Sequence, residues 1–435
     1  MKRLNVIVVA HEFSPEQGSE CAEGWNIVTK LATYHDVTVL YASGSQFVQN
    51  SYLNAIERYH QKNSPISGLK FVNIDQPSIT RFIARFNTYF LKIGSIGLPI
   101  LYFTAYKYWQ KEVFKKVKQL TKENEYHIIH QLTQITFREP GYLWKLGIPF
   151  VWGPTGGTST IPRGFLSILS WKARVFENIR SFSNFYQFSF VKRIIQANKQ
   201  ADLIYLFTKE DGELFAKRAK GKIKLLLDAG TLSSSINDVT LKNNSSGITA
   251  VWCGQLIERK APSILLYAIA SGKFNSDRIK FLIIGDGPLR KSLMILANEL
   301  QIENIEWINK VSHNKVFELM QSSDFFIHTS YREATSNVIP EALSMGLPVI
   351  CHDANGMSIA INESCGIKVP LVSFEESVLN FQEAILKLIS NKDYLEQLKK
   401  GAIARTSEIS WDAMVETIAN DYINIHNNHA DSTNK

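Results

Sequence analysis

Two glutamates, Glu333 and Glu341, lie eight residues apart in the segment of the chain with the clearest chemical pattern. Pro340 has no N–H group, so it must lie in the first turn of any helix here, and Asn337 is then the predicted N-cap. This places Glu333 on the loop after a strand and Glu341 about one turn into the helix. Because the free N–H groups of residues 337–339 would bind an anion, carboxylates beside them suit the hydroxyls of a sugar and of a ribose, with phosphates between. The alternative is an ordinary helix with two surface glutamates.

The residues after the second glutamate extend this pattern. They include Ala342, Gly346, Pro348 and Val349. With the two glutamates, the segment resembles the signature of family 4 glycosyltransferases, which have the GT-B fold. The resemblance implies that Glu333 contacts the transferred sugar and that Glu341 holds the ribose of the nucleotide. The residues predicted to contact the donor at the helix start are Ser336, Asn337 and Val338.

Two adjacent basic residues, Arg259 and Lys260, are the predicted partners of the donor diphosphate. Their segment resembles the family's loop after a strand, and Lys260 takes the position of the family's lysine. Two cations there would stabilise the departing nucleoside diphosphate. The family often has an arginine and a glycine where this chain has Gln255 and Ala261. Either cation therefore stays a candidate for the main contact, and a solvated surface pair is the alternative.

Three glycines after predicted strands are candidate donor contacts: Gly18, Gly254 and Gly285. Gly285 ends a strand and opens a helix, but the third glycine of a dinucleotide fingerprint is absent. Gly18 lies in a run that resembles a subset of the same family, and it would let the backbone approach the donor phosphates. The alternative for Gly18 and Gly285 is turn chemistry without ligand contact.

Two residues of the first half complete the predicted site. His130 ends a predicted strand that faces the expected cleft, and the resembled family often has a histidine near the sugar. The alternative is a core histidine with both ring nitrogens satisfied. Arg138 is the predicted partner of a phosphate or carboxylate on the acceptor.

Strands and helices alternate at short spacing in both halves, which predicts α/β architecture with parallel sheets. Residues 228–247, rich in Ser, Asn and Gly, are the predicted linker. We therefore predict two doubly wound, Rossmann-like domains facing a cleft, residues 1–235 for the acceptor and 236–410 for the nucleotide sugar. The resemblance implies the GT-B arrangement, with a carboxyl-terminal helix in residues 411–435 that crosses back to the first domain.

Composition limits the class of protein. Hydrophobic residues make up 45% of the 435 residues and charged residues 20%, which excludes disordered and collagen-like chains. The four cysteines form no close pair and no zinc spacing, so a reducing cytoplasm is expected. The longest uncharged apolar run, Ile93–Tyr106, is too short to span a bilayer, which takes ~20 residues.

Charge is unevenly distributed along the chain. Residues 1–235 hold 30 Lys and Arg against 17 Asp and Glu, a net charge of +13. Basic residues alternate with aromatic residues in two stretches, 81–118 and 163–199. Such stretches suit an anionic membrane surface, so we predict a peripheral protein on the inner face of the membrane rather than a nucleic-acid binder. The alternative is core helices with solvated basic faces.

The sequence as a whole predicts a retaining glycosyltransferase that moves a sugar from a nucleotide diphosphate sugar to a hydroxyl of a glycan or lipid-linked acceptor, as in surface polysaccharide synthesis. No Asp-x-Asp motif occurs, so neither a metal nor another cofactor is expected. The predicted catalytic residues are Glu333, Lys260, Arg259 and His130. Two alternatives stay open, namely another GT-B enzyme such as a nucleotide-sugar epimerase and a non-catalytic subunit that binds nucleotide sugars.

Overall fold

The protein divides into two compact units, each built on one sheet. A computed structural model describes residues 2–91, 96–166, 168–231, 247–274 and 279–433. Unit 1 comprises residues 1–158, 183–228 and 411–435. Unit 2 comprises residues 159–182 and 229–410. The sequence predicted one boundary, at residue 235. In the structure the chain enters unit 2 twice, so the two units alternate along the sequence.

Unit 1 contains a seven-stranded parallel sheet in the order β3-β2-β1-β4-β5-β6-β7. Its strands are β1 (Asn5–Ala10), β2 (Asp36–Ala42), β3 (Leu69–Ile74), β4 (Ile128–Thr133), β5 (Phe150–Thr155), β6 (Leu203–Leu206) and β7 (Lys222–Leu225). The central strands are almost continuously buried, as expected for a parallel sheet covered on both faces. The order reverses between β1 and β4, so the predicted doubly wound topology is confirmed.

Helices connect these strands in chain order. They are α1 (Glu20–Leu31), α2 (Ser51–Lys62), α3 (Ser78–Asn87), α4 (Pro99–Glu123), α5 (Trp171–Phe190), α6 (Lys192–Gln200) and α7 (Lys209–Ala216). Residues 171–182 of α5 belong to unit 2, and the rest of the helix belongs to unit 1. The sequence analysis did not identify α2 and β3, because the edge strand β3 is only partly buried and its apolar pattern is weak.

Unit 2 repeats the architecture with a six-stranded parallel sheet in the order β10-β9-β8-β11-β12-β13. Its strands are β8 (Ile248–Cys253), β9 (Ile279–Ile284), β10 (Ile305–Ile308), β11 (Phe325–His328), β12 (Val349–His352) and β13 (Gly366–Val369). Its helices are α8 (Pro262–Gly272), α9 (Arg290–Glu299), α10 (His313–Gln321), α11 (Val338–Ser344), α12 (Met357–Ala360), α13 (Phe374–Ser390) and α14 (Lys392–Glu408). The order reverses between β8 and β11.

The last helix, α15 (Trp411–Thr433), returns to unit 1, as predicted. Its Tyr422 hydroxyl lies 2.5 Å from His130 Nδ1, and its Asp421 accepts a hydrogen bond from the Tyr205 hydroxyl at 2.7 Å. These bonds reach β4 and β6, so α15 is an integral part of the unit 1 core.

Two further predictions concern the linker and membrane-spanning helices. Most of the predicted linker, residues 232–246, lies outside the described residues. None of the helices in the part of the chain that the structure describes is both long enough and apolar enough to cross a membrane.

Candidate functional site

The candidate site lies at the carboxyl-terminal edge of the unit 2 sheet. β8 and β11 are neighbours there, and Phe325 pairs with Ala250. Because the strand order reverses between them, the loops after both strands open at the same point. Residues 254–261 follow β8, and residues 329–337 follow β11. Two segments some seventy residues apart in sequence therefore form one site.

The Glu333 carboxylate is the centre of this site. Its Oε2 atom lies 2.5 Å from Arg259 Nη1 and 2.7 Å from Lys260 Nζ. Ser330 Oγ lies 3.3 Å from the same oxygen. The structure thus brings together three predicted catalytic residues, and all three contacts go to a single oxygen of Glu333.

Hydroxyl groups after β11 fix the backbone of the loop after β8. Thr329 Oγ1 donates to Lys260 O at 2.7 Å and accepts from Trp252 Nε1 at 3.0 Å. Ser330 Oγ donates to Arg259 O at 3.0 Å. The sequence analysis missed Thr329 and Ser330, although two hydroxyl residues directly after a buried strand are a usable signal. Their bonds hold the two cations in place beside the carboxylate.

The charges in the cluster stabilise one another. Burial raises the pKa of Glu333, but the neighbouring Lys260 and Arg259 cations outweigh burial and hold that pKa below its ordinary value. Burial also lowers the pKa of Lys260, and the Glu333 carboxylate opposes this effect. Glu333 is consequently ionised at neutral pH.

The Lys260 ammonium is more enclosed than the Arg259 guanidinium. The side chain of Lys260 is 9% exposed and that of Arg259 is 35% exposed. Lys260 Nζ also donates to Ser336 Oγ at 3.0 Å, which connects it to the predicted anion site. With bonds to Glu333 and Ser336, Lys260 has one N–H left for a ligand.

Backbone conformation explains why two positions of the site favour glycine. Ala261 has φ +45° and ψ +49°, a left-handed conformation in which a glycine is more stable, so the family's usual glycine at this position has a physical reason. Gly285 has φ +139°, and a Cβ there would lie 1.9 Å from Gly254 O. Gly254 and Gly285 therefore pack against each other, which is the turn chemistry weighed as the alternative for Gly285.

The start of α11 differs in detail from the prediction. Asn337 directly precedes the helix, as predicted, but its side chain makes no capping hydrogen bond and its backbone is already helical. Ile339 N donates to Ser336 O at 2.9 Å, so that amide is not available to an anion. Val338 is the first residue of the helix and is partly exposed.

Glu341 has a partner that the sequence analysis missed. Its Oε1 lies 3.0 Å from Nε2 of His313, the first residue of α10. Burial raises the pKa of Glu341, although His313 opposes this effect. The Cys253 thiol lies within electrostatic range of both Glu341 and Lys260, and burial raises its pKa to about 12, so it stays protonated at neutral pH. No thiolate nucleophile arises here.

His130 lies in the interior of unit 1, contrary to the expectation that it faces an open site. Its side chain is fully buried. Nδ1 contacts the Tyr422 hydroxyl, and Nε2 contacts the Gly153 carbonyl. Burial lowers the pKa of His130 to about 4, so the ring is neutral at neutral pH. These contacts correspond to the satisfied core histidine, and the sequence could not reveal them because Tyr422 is 292 residues away.

The other two predicted residues of unit 1 lie at its surface. Gly18 is exposed on the loop before α1, and a Cβ there would meet no atom within 4 Å, so no packing reason requires glycine. The partly exposed Arg138 guanidinium donates to Asn184 Oδ1 and lies 4.8 Å from the centre of the Phe137 ring. The Arg138 side chain is thus fixed by unit 1 itself.

Within the described ranges of the chain, no three His, Cys, Asp or Glu side chains are grouped so that they could hold a metal ion.

Comparison with known proteins gives a family match for the carboxyl-terminal half. Residues 236–405 match the sequence model of the family described as Glycosyl transferases group 1. An uncharacterized glycosyltransferase of Methanocaldococcus jannaschii is 25% identical over 183 residues, which are 42% of this chain and 50% of that protein. The matched segments cover half or less of the length of the first curated relatives.

Solved structures resemble the chain over nearly its full length. The crystal structure of WaaG, a glycosyltransferase involved in lipopolysaccharide biosynthesis, has a TM-score of 0.53 at 16% identity and covers 96% of this chain and 99% of its own. HepE of Anabaena in complex with UDP has a TM-score of 0.56 at 15% identity, with the same coverage. At this identity the likeness concerns the fold, and the predicted GT-B fold is confirmed.

Proposed function

Residues 236–405 match the glycosyl transferases group 1 family within a GT-B fold, and from this premise we propose that the protein is a retaining glycosyltransferase. It moves a sugar from a nucleotide diphosphate sugar to a hydroxyl of a glycan or lipid-linked acceptor. The observation that supports this best is the cluster of Glu333, Lys260 and Arg259 at the point where the unit 2 sheet reverses its order.

In this proposal the two cations bind the departing diphosphate. Lys260 has an unused N–H, and Arg259 is more than one-third exposed beside it, so both can reach a phosphate oxygen. Negative charge grows on the diphosphate as the bond to the sugar breaks. Cations already fixed by Glu333, Thr329 and Ser330 stabilise that charge without having to reorganise.

Glu333 positions the sugar. Its contacts within the described chain all go to Oε2, so Oε1 can accept a hydrogen bond from a sugar hydroxyl. The bond from the anomeric carbon to the phosphate oxygen breaks, and the acceptor oxygen bonds to that carbon on the same face. The acceptor proton passes to the departing phosphate, so the protein contributes position and electrostatics.

A donor panel tests the proposal. The full chain is incubated with nucleotide diphosphate sugars that differ in base and sugar, with a simple hydroxyl acceptor present, and release of nucleoside diphosphate is measured. Release with at least one donor is expected. An epimerase would change the sugar without releasing the diphosphate. A binding subunit would show only a rise in melting temperature, which corresponds to about 2.7 kcal/mol at 100 times the dissociation constant.

Glu341→Ala is expected to raise the donor KM and to leave kcat nearly unchanged. If the carboxylate holds the ribose in both the ground and the transition state, its removal weakens binding uniformly. A loss of one charged hydrogen bond predicts roughly a tenfold or greater rise in KM. Steady-state kinetics measure this, and His313→Ala is the companion variant because it leaves the carboxylate in place. An equal fall in kcat would contradict a ribose role.

Activity is expected to persist in excess chelator. The proposal assigns neutralisation of the diphosphate to Lys260 and Arg259, so no divalent cation is required. Product release is compared with and without a chelator, and then after addition of Mg²⁺ or Mn²⁺. A complete loss that either metal restores would contradict the proposed diphosphate site.

We place the reaction at the cytoplasmic face of a membrane, in the assembly of surface polysaccharides. The four cysteines are unpaired thiols, which suits a reducing compartment. The net charge of +13 on residues 1–235 suits an anionic acceptor or lipid surface. Activity with a lipid-linked acceptor, compared with its water-soluble glycan, would test this setting.

A further inference from the structure

Helix α5 presents its apolar side chains outward and its polar ones inward. The buried positions Glu177, Asn184 and Phe188 form the inward face. Eight large apolar side chains, 49–70% exposed, form the outward face, which we call the aromatic face: Trp171, Val175, Phe176, Ile179, Phe182, Phe185, Tyr186 and Phe190. An ordinary surface helix has the reverse arrangement, so this face requires an apolar environment.

The inward polar contacts fix this orientation. The Glu177 carboxylate accepts hydrogen bonds from Arg180 Nε at 3.0 Å and from Arg332 Nη1. Asn184 Nδ2 donates to Gly157 O at 3.0 Å. Rotating the helix to bury its aromatic side chains would expose the apolar contacts of Phe188 and break these bonds, which would leave the Arg332 guanidinium without its carboxylate partner.

The charges exposed on α5 are all positive. Lys172 and Arg174 are exposed, whereas Arg180 and the one acidic residue, Glu177, pair with each other and are only 17% and 7% exposed. Lys172 Nζ lies 5.7 Å from the centre of the Trp171 ring, so a cation and an aromatic ring share the start of the helix. Aromatic side chains flanked by Lys and Arg are typical of helices that lie in the interface of anionic membranes.

The other basic aromatic stretch, residues 81–118, divides into two kinds of helix. In α4, Tyr106 and Trp109 are fully buried, so this helix is the core helix with a solvated basic face. In α3, Phe82 and Phe86 are 70% and 51% exposed, next to Arg81. Composition alone therefore does not show which aromatic side chains are exposed, whereas the structure does.

We propose that the aromatic face of α5 inserts into the interfacial layer of an anionic lipid membrane and anchors the protein there. This goes beyond electrostatic attachment, because apolar side chains enter the boundary between headgroups and acyl chains. It is a statement about binding and does not depend on the proposed sugar transfer.

The inward face of α5 connects the proposed anchor to the candidate site. Arg332, which Glu177 holds, directly precedes Glu333 in the same unit. The helix on the lipid therefore braces the loop that carries the carboxylate. If the proposed function is right, which this step assumes, the brace presents the sugar donor at a fixed height above the membrane, where a lipid-linked hydroxyl is available.

The test compares vesicle binding of the full chain and of two variants. Vesicles of phosphatidylcholine alone, or mixed with phosphatidylglycerol, are sedimented at low and high salt. The expected result is binding to mixed vesicles that high salt weakens but does not abolish. Ile179→Ser with Phe182→Ser should reduce binding at least ~10-fold, since two large apolar side chains no longer leave water for the lipid. The matched control is Leu379→Ser on α13, which is 57% exposed and should bind like the unaltered chain.

Three results would overturn the proposal: no binding of the unaltered chain, equal loss in the control, or unchanged binding of the double variant. A double variant that keeps vesicle binding but loses self-association would assign the face to a protein partner instead. Circular dichroism checks the fold, and Ile179→Trp with Phe182→Trp should retain binding and show a blue-shifted emission on vesicles. Because binding is measured without a donor, failure here is distinguishable from failure of the transferase assay.

Discussion

A Glu333→Gln variant is expected to lower kcat by ~10²–10³-fold with little change in the donor KM, the range for removing one preorganised electrostatic group. Glutamine keeps the shape of the side chain but loses the charge that Lys260 and Arg259 surround at 2.7 and 2.5 Å. The two cations would then repel each other, and the sugar would lose a charged acceptor for its hydroxyl. Release of nucleoside diphosphate under steady-state conditions measures the effect.

The control for this variant is Glu306→Gln. Glu306 also pairs with a lysine, Lys280, but it is half exposed and lies on β10 away from the candidate site. Its removal should change neither turnover nor KM, because exposed ion pairs contribute little. Unaltered turnover in the Glu333→Gln protein would remove Glu333 from the mechanism, whereas a loss shared by both variants would indicate a general effect of charge.

A Lys260→Ala variant is expected to lose turnover by a similar factor, ~10²–10³-fold, through the leaving group rather than the sugar. The loss should be smaller with donors whose leaving group is already more stable, which distinguishes this role from that of Glu333. Arg259 still neutralises Glu333 in the variant, so the fold should persist. Lys280→Ala, which removes an exposed lysine from β9, is the matched control.

The pH profile of the same variant provides a second readout. Of the two cations, Lys260 has the larger charge effect in lowering the pKa of Glu333, so its removal should raise that pKa. A carboxylate with a depressed pKa keeps its charge down to low pH and loses it as pH falls through the folded-state value. The acid limb of residual activity should therefore move to higher pH in the variant. An unmoved acid limb would mean that Glu333 does not govern it.

The parts of the site that depend on strand order could be predicted from the sequence. Lys260 and Glu333 are far apart in the chain, but each follows a strand, and parallel strands at a reversal of order bring their loops together. The motifs around Glu333 and Lys260, placed after predicted strands, therefore located the site. They could not show that both cations bond to one carboxylate oxygen, because that depends on the loop backbone that Thr329 and Ser330 hold through its carbonyl groups.

The sequence could not show which way a side chain points or which distant residue it contacts. His130 was predicted to end a strand and face a ligand, yet it lies within β4, and its ring contacts Tyr422 of α15. Helices α4 and α5 share a basic aromatic composition, but Trp109 is buried and Phe182 is 70% exposed. Which side a helix turns inward depends on contacts such as Glu177 with Arg332, which no local pattern contains.

The return of α15 to unit 1 has a consequence for synthesis of the protein. The ribosome makes the β-strands of unit 1 before those of unit 2, but Asp421 and Tyr422, which bond to β6 and β4, follow only after all of unit 2. Until then the groove that receives α15 is open, and the buried ring of His130 has one nitrogen without its partner. Unit 2 contains no residue after Ser410, so every residue of unit 2 precedes α15 in synthesis. Unit 1 can thus be completed only after the whole of unit 2 has been synthesised.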